Sequence, residues 1–131
     1  MTTVDLTTAP LPALRATLQA TIETAGFDCY LYGSPNLSTP CVVIEPNGWA
    51  PSRAAKGLVA VPCKVTCLYN TADAPTSSDG AEEMTRLVYL ACQSAGWLPT
   101  DVPPPGQVTW GDPARSFVGV QMVVGRITDI N

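Results

Sequence analysis

Few residues in this sequence have the types and spacing that chemistry requires. Histidine is absent, so no serine or cysteine has the base that most nucleophilic sites use. A serine–lysine pair is the remaining arrangement, but Lys56 and Lys64 are the only lysines and neither lies in a supporting motif. Glu82 and Glu83 are adjacent, and adjacent helical positions point about 100° apart, so they are better interpreted as negative charge favouring a helix N-terminus. The sequence predicts no catalytic residue and a protein that is not an enzyme.

The same holds for cofactors and metals. Gly106 and Gly111 have the spacing that opens a phosphate-binding loop, but the Lys and Ser/Thr that should follow are missing. Cys63 and Cys67 lie four apart in a predicted strand, hence about 13 Å apart on one face, which is too far to share a metal ion. The sequence therefore predicts neither a cofactor nor a metal. The five cysteines are interpreted as small core residues in a reducing cytoplasm.

Composition restricts the partners. The 131 residues are predicted to form one domain, residues 1–131, with 46% hydrophobic but only 14% charged residues, where about a quarter is typical. Either the surface is largely neutral and polar, or other subunits cover part of it. The net charge is −4 and no basic run is present, which argues against binding to DNA phosphates or to a membrane surface. We identify no signal peptide or membrane span in the sequence.

Apolar periodicity predicts two helices. The first begins between Pro10 and Pro12 and ends at Thr24 or Ala25, with Gly26 as its left-handed cap. Its apolar stripe is formed by Leu11, Leu14, Leu18 and Ile22.

The second predicted helix spans Asp79–Ala95 and is ended by Gly96. Asp79 is its expected cap, with Glu82 in capping-box position and an i,i+4 pair between Glu82 and Arg86. Its apolar stripe is formed by Met84, Leu87, Val88 and Ala91.

Alternating and continuous apolar runs predict five strands, namely Phe27–Tyr32, Pro40–Glu45, Leu58–Tyr69, Gln107–Trp110 and Phe117–Ile127. Pro62 cannot donate a ladder hydrogen bond, so its strand is expected to be an edge strand or to be bulged there. Leu98–Gly106, with four prolines, is predicted to be an extended connector, and Gly111–Pro113 a turn. The order α-β-β-β-α-β-β predicts an α+β fold. Its sheet is mostly antiparallel and built from consecutive hairpins, with two helices on one face and none on the other.

The whole chain resembles the tail terminator (tail completion) proteins of long-tailed bacteriophages, and it is similar to small head–tail joining proteins. The likeness is carried by the leading helix ending at Gly26-Phe27, the passage Pro35–Pro46, and the long strand leading into the capped helix. The closing strand, which ends at Arg126-Ile127-Thr128, adds to it. The loop containing Trp49 and the run Pro103–Pro105 have no counterpart in that pattern.

The resemblance implies a structural virion protein. Members of the family form a ring, commonly of six subunits, at the head-proximal end of the tail. The ring stops tube polymerisation, and head-completion proteins bind to it. Double-stranded DNA passes through the lumen without specific binding. Subunits would assemble in the host cytoplasm and end up in the virion.

On this reading, loops 46–57 and 70–78 project toward ring or tube partners. Trp49 is interpreted equally well as a contact anchor or as a cover for the core, whereas Trp97 is interpreted as core. The candidate interface residues are Trp49, Arg53, Lys56, Asn70 and Asp73. The rival interpretations are another neck role, such as a head-closure or minor tail protein, and a monomeric cytoplasmic binding module.

Overall fold

The computed structural model describes residues 10–31, 37–51, 58–71, 77–110 and 114–129. These residues form two helices and seven strands of one sheet, which confirms the predicted α+β class with a mostly antiparallel sheet. In chain order the elements are α1 (Pro10–Thr24), β1 (Asp28–Leu31), β2 (Cys41–Pro46), β3 (Ala50–Pro51), β4 (Leu58–Thr71), α2 (Ser77–Ser94), β5 (Leu98–Asp101), β6 (Gly106–Trp110) and β7 (Arg115–Asp129).

The sheet is organised around the antiparallel pair β4 and β7, of 14 and 15 residues, which pair from Leu58 and Asp129 to Thr71 and Phe117. On the edge of β4 away from β7, β2 and β3 pair with successive segments of β4, and β1 pairs with the outer edge of β2. On the far side of β7, β5 and β6 follow one another in the same way.

Both helices cover one face of this sheet. Every second side chain of a strand points to that face, because successive residues of a strand point to opposite sides, and these side chains are mostly apolar. The main core combines residues of both helices with those strand residues: Leu18, Ile22, Cys29, Val42, Ile44, Val59, Val61, Cys63, Val65, Cys67, Met84, Val88, Cys92, Trp97, Met122 and Val124. Trp97 is fully buried there, which confirms its interpretation as a core residue.

The opposite sheet face has no helix among the described residues, as predicted, but part of it is buried. A second, smaller cluster lies at one end of that face, formed by Leu37, Cys41, Val43, Leu68 and Phe117. Arg115 fixes this end, since its guanidinium lies over the Phe117 ring at 4.9 Å and donates to the carbonyl oxygen of Leu37 at 3.2 Å. Elsewhere on this face the described residues include exposed side chains, among them Ala60, Gln121 and Ile127.

The helix bounds agree closely with the sequence. α1 spans Pro10–Thr24, and Gly26 and Gly96 take the positive φ angles of +105° and +87° expected after the two helices. α2, however, begins at Ser77, so Asp79 lies inside its first turn rather than capping it. There its carboxylate favours the helix N-terminus through its charge.

Two details predicted for α2 are wrong. The ion pair that forms is between Glu83 and Arg86, three residues apart, and not between Glu82 and Arg86. Leu87 is 41% exposed rather than part of the buried stripe. The helix turns Ala81, Met84, Thr85, Val88 and Cys92 toward the sheet instead.

The sequence missed two strands and one pairing direction. β3 lies inside the predicted loop 46–57, and β5 occupies the start of the predicted connector Leu98–Gly106. β1 and β2 are parallel, not a hairpin. The nine residues between Leu31 and Cys41 are longer than a hairpin turn and suffice to return the chain along a strand of four residues. The predicted turn Gly111–Pro113 lies outside the described residues.

The expectation for Pro62 is also wrong, because β4 lies inside the sheet and its bulge falls between Leu68 and Asn70. Proline is tolerated because β2 and β3 leave Val61 and Pro62 without a partner strand on their side among the described residues. At this gap the N–H of Asn47 donates to the carbonyl oxygen of Pro62 at 3.3 Å.

We predict that Gly119→Ala destabilises the fold by about 2 kcal/mol or more, because overpacking against backbone cannot relax cheaply. A Cβ at Gly119 would collide with the carbonyl oxygen of Cys67, beside the β4 bulge. Gly106→Ala is the matched control, since Gly106 pairs directly with Gly119 but its Cβ would meet nothing within 4 Å. Urea unfolding measures both. Equal stabilities of the two variants would contradict the close approach.

Candidate interaction surfaces

The described residues contain no group of three or more His, Cys, Asp or Glu side chains that could hold a metal ion. The two adjacent carboxylates do not converge either. Glu83 is exposed and accepts hydrogen bonds from Arg86, which lowers the pKa of its carboxyl group, and Glu82 is exposed next to it. In the described part of the chain, acid–base chemistry therefore has no enclosed pair of carboxylates to work with.

The five thiols are buried and free. Burial raises the pKa of every one of them, because a thiolate loses its hydration inside the core. The pKa values rise from 9.0 to about 12 for Cys29, Cys67 and Cys92 and to about 11 for Cys41 and Cys63. A buried, protonated thiol of this kind is a poor nucleophile near neutral pH.

Exposed residues on the sheet face opposite the helices form the first candidate surface. Trp49 follows β2 and is 53% exposed. It borders a shallow cleft of about 450 Å³ together with Ala60, Pro62 and Gly125, and we name these four residues the Trp49 surface. Two further exposed apolar side chains extend it, because Leu98 pairs with Gly125 and Ile127 pairs with Ala60 on the same face. Contiguous exposed apolar area of this kind is typical of a contact surface.

The second candidate surface lies where β4 ends and α2 begins. A cleft of about 450 Å³ is bounded there by residues that include Tyr69, Asn70, Gly80, Glu83 and Leu87, and we name these five residues the Asn70 cleft. The Tyr69 ring lies against Gly80, where a Cβ would have no room. The exposed Leu87 side chain forms an apolar wall, and Glu83 supplies negative charge at the rim.

These two surfaces lie at opposite ends of the sheet. Trp49 precedes Ala50, which pairs with Ala60, whereas Asn70 lies ten residues further along the same strand. At about 3.3 Å per residue the two positions are about 33 Å apart. The structure therefore does not bring Trp49 and Asn70 into one site. Arg53, Lys56 and Asp73 lie outside the described residues.

A third cleft, of about 480 Å³, separates α2 from the run Val102–Pro105 and is lined on the sheet by Val120. The run Pro103–Pro105 belongs to the predicted extended connector and lies between β5 and β6 in the structure. Three consecutive prolines cannot donate to β7, so pairing stops between β5 and β6 and a gap opens beside the helix.

In the described part of the chain, neither helix is long and apolar enough to cross a membrane. The sequence matches no protein-family model and has no significant match among curated proteins.

We predict that stability falls as the pH rises above 9. The unfolded chain releases thiol protons from about pH 9 upward, whereas the folded chain keeps them until about pH 11–12, so stability present below pH 9 is lost across this window. At pH 10 the raised pKa of each thiol should lower the free energy of unfolding by about 1 kcal/mol relative to pH 8. Urea unfolding at pH 8 and pH 10 measures the loss.

A thiol reagent at pH 8 provides the control, with slow reaction in the native state and five thiols released in urea. Five fast native thiols, or equal stability at the two pH values, would contradict the assignment.

Proposed function

We propose that this protein is a structural component of the neck of a long-tailed phage. In this role a ring of identical subunits ends tail-tube polymerisation at the head-proximal end and joins the tail to the head. The observation that carries the proposal is a pair of partly apolar surfaces, formed by different residues, at opposite ends of one sheet. The sequence resemblance to tail terminators supplies the biological setting.

Two unlike surfaces on one subunit suit a head-to-tail contact. Such contacts repeat from one copy to the next and generate a ring when the rotation between copies closes. The Trp49 surface and the Asn70 cleft are formed by different residues and are separated by about 33 Å along β4. A subunit of this kind would have both surfaces covered in a ring, which would also account for its low content of charged residues, 14%.

The charge also suits a conduit for DNA. Protein affinity for duplex DNA comes largely from Lys and Arg that neutralise phosphates. With a net charge of −4 and seven basic residues in all, this chain offers little of that attraction. DNA could then pass a ring of these subunits without being retained.

We expect the purified full chain to form closed rings of uniform size, either alone or after addition of the tail-tube protein of the same virus. Native mass spectrometry gives the subunit number, and negative-stain electron microscopy shows rings and tubes capped at one end. Growth of the tube should stop when the protein is added. The same rings should not retain duplex DNA at about 0.15 M salt.

Single subunits under both conditions, with tubes growing unchanged, would overturn the proposed function. A ring that retains duplex DNA at this ionic strength would contradict its role as a conduit.

A further inference from the structure

The dipeptide Asn47-Gly48 follows β2 directly and precedes Trp49. In such a dipeptide the backbone nitrogen of the glycine can attack the side-chain carbonyl carbon of the asparagine, because the chain itself holds the two groups close together. Glycine favours this attack, since it has no Cβ to hinder the approach to its nitrogen. Whether the reaction occurs in the native protein depends on how the fold holds these two residues.

The fold leaves both reacting groups accessible. Asn47 and Gly48 are exposed, and a Cβ built on Gly48 would meet nothing within 4 Å. Among the described residues, no acceptor holds the N–H of Gly48 and no partner holds the side-chain amide of Asn47. The N–H of Asn47 itself donates to the carbonyl oxygen of Pro62 at 3.3 Å, which fixes the start of the segment but neither reacting group.

Asn70 is the other asparagine in the described part of the chain, and it lies in a different setting. The residue after it is threonine, and both residues pair with β7, Asn70 with Val118 and Thr71 with Phe117. A strand ladder restricts the backbone movement that ring closure requires. Asn70 is therefore an internal comparison for Asn47 within the same molecule.

We propose that Asn47 is a site of spontaneous deamidation in the free subunit. The nitrogen of Gly48 forms a bond to Cγ of Asn47, the bond from Cγ to the side-chain nitrogen breaks, and ammonia leaves with the proton that the Gly48 nitrogen gives up. Water then opens the resulting succinimide ring at either of its two carbonyl groups, which gives aspartate or isoaspartate at position 47. One water is consumed and one ammonia is released, and no oxidant or reductant takes part.

The product places a negative charge beside the Trp49 surface. Asn47 and Gly48 line the same cleft as Trp49 and Pro62. Conversion of one neutral amide to one carboxylate changes the net charge of the chain from −4 to −5. The consequence for assembly rests on the proposed function. Where a neighbouring subunit covers the Trp49 surface, the new carboxylate loses hydration, so deamidated subunits assemble less well than fresh ones.

Incubation of the purified full chain at physiological temperature and near neutral pH tests the reaction. Peptide mapping by mass spectrometry should show conversion of the amide to the acid at Asn47, with Asn70 unchanged. A protein isoaspartate methyltransferase measures the isoaspartate fraction independently.

The rate at Asn47 in the native chain should lie within about tenfold of the rate in the chain unfolded in guanidinium chloride, because the fold does not protect the site. A native rate far below that of the unfolded chain, or faster conversion at Asn70 than at Asn47, would overturn the proposal.

Two variants test the two reacting groups. Asn47→Gln should slow ammonia release at least about tenfold, because its longer side chain would have to close a six-membered ring. Gly48→Ala keeps the asparagine but places a Cβ beside the attacking nitrogen, and it should slow the release as well. Gly48 has a φ of +73°, which alanine adopts at a cost, so thermal melting monitors the folding of this variant. Unchanged ammonia release in either variant would overturn the assignment of these groups.

A separate experiment tests the effect on assembly. Asn47→Asp carries the aspartate product from the start. Gln93→Glu, exposed on α2, makes the same change of charge at a position that borders neither the Trp49 cleft nor the Asn70 cleft. Under conditions in which the fresh chain forms rings, Asn47→Asp should lower the ring yield several-fold and Gln93→Glu should not, as native mass spectrometry can measure.

The outcomes separate this inference from the proposed function. Equal ring yields for the two variants would overturn the effect on assembly and leave the modification site standing. Deamidation at Asn47 in a chain that never forms rings would support the site and overturn the ring. Rings from a chain that keeps its Asn47 amide would overturn the site and leave the ring standing.

Discussion

The long antiparallel pairing of β4 with β7 is the constraint on which the rest of the molecule depends. It runs from Leu58 and Asp129 to Thr71 and Phe117, and every other strand except β1 pairs directly with one of these two. Both helices pack their apolar faces against the same side of this strand pair. The register of the ladder shifts at a bulge between Leu68 and Asn70, and beside it Gly119 allows the backbone at Cys67 to approach closely.

Proline interrupts the pairing on both flanks of this central pair. Opposite Pro62, the chain leaves β2 and returns as β3, and the intervening segment carries Trp49. Opposite Val120, the run Pro103–Pro105 separates β5 from β6 and opens a cleft against α2. A residue without an N–H cannot complete a ladder. The missing N–H of proline therefore shortens the flanking strands and also leaves clefts beside them.

The functional interpretation depends on which side chains the described residues expose to a partner. The thiols are buried and protonated near neutral pH, and the carboxylates of α2 are exposed and dispersed. Apolar surface is exposed instead, at Trp49, Leu98 and Ile127 on the sheet and at Leu87 and Leu90 on α2. Contact between protein surfaces uses such features, whereas bond-making chemistry requires groups that converge. The proposed ring gives each of the two ends a partner.

The sequence by itself determined the features that depend on neighbouring residues. Helix periodicity and the glycines after each helix predicted the bounds of α1 to within two residues, and the uninterrupted alternation of Leu58–Tyr69 identified β4. It did not identify β3 and β5, because strands of two and four residues containing proline form only where a longer strand offers them a ladder. The sequence also assigned Leu87 to the core. An apolar stripe shows which side of a helix is apolar, but it does not give the rotation of the helix about its own axis on the sheet. Only the tertiary structure placed Trp49 and Asn70 at opposite ends of β4, since that separation depends on which residues pair across the sheet.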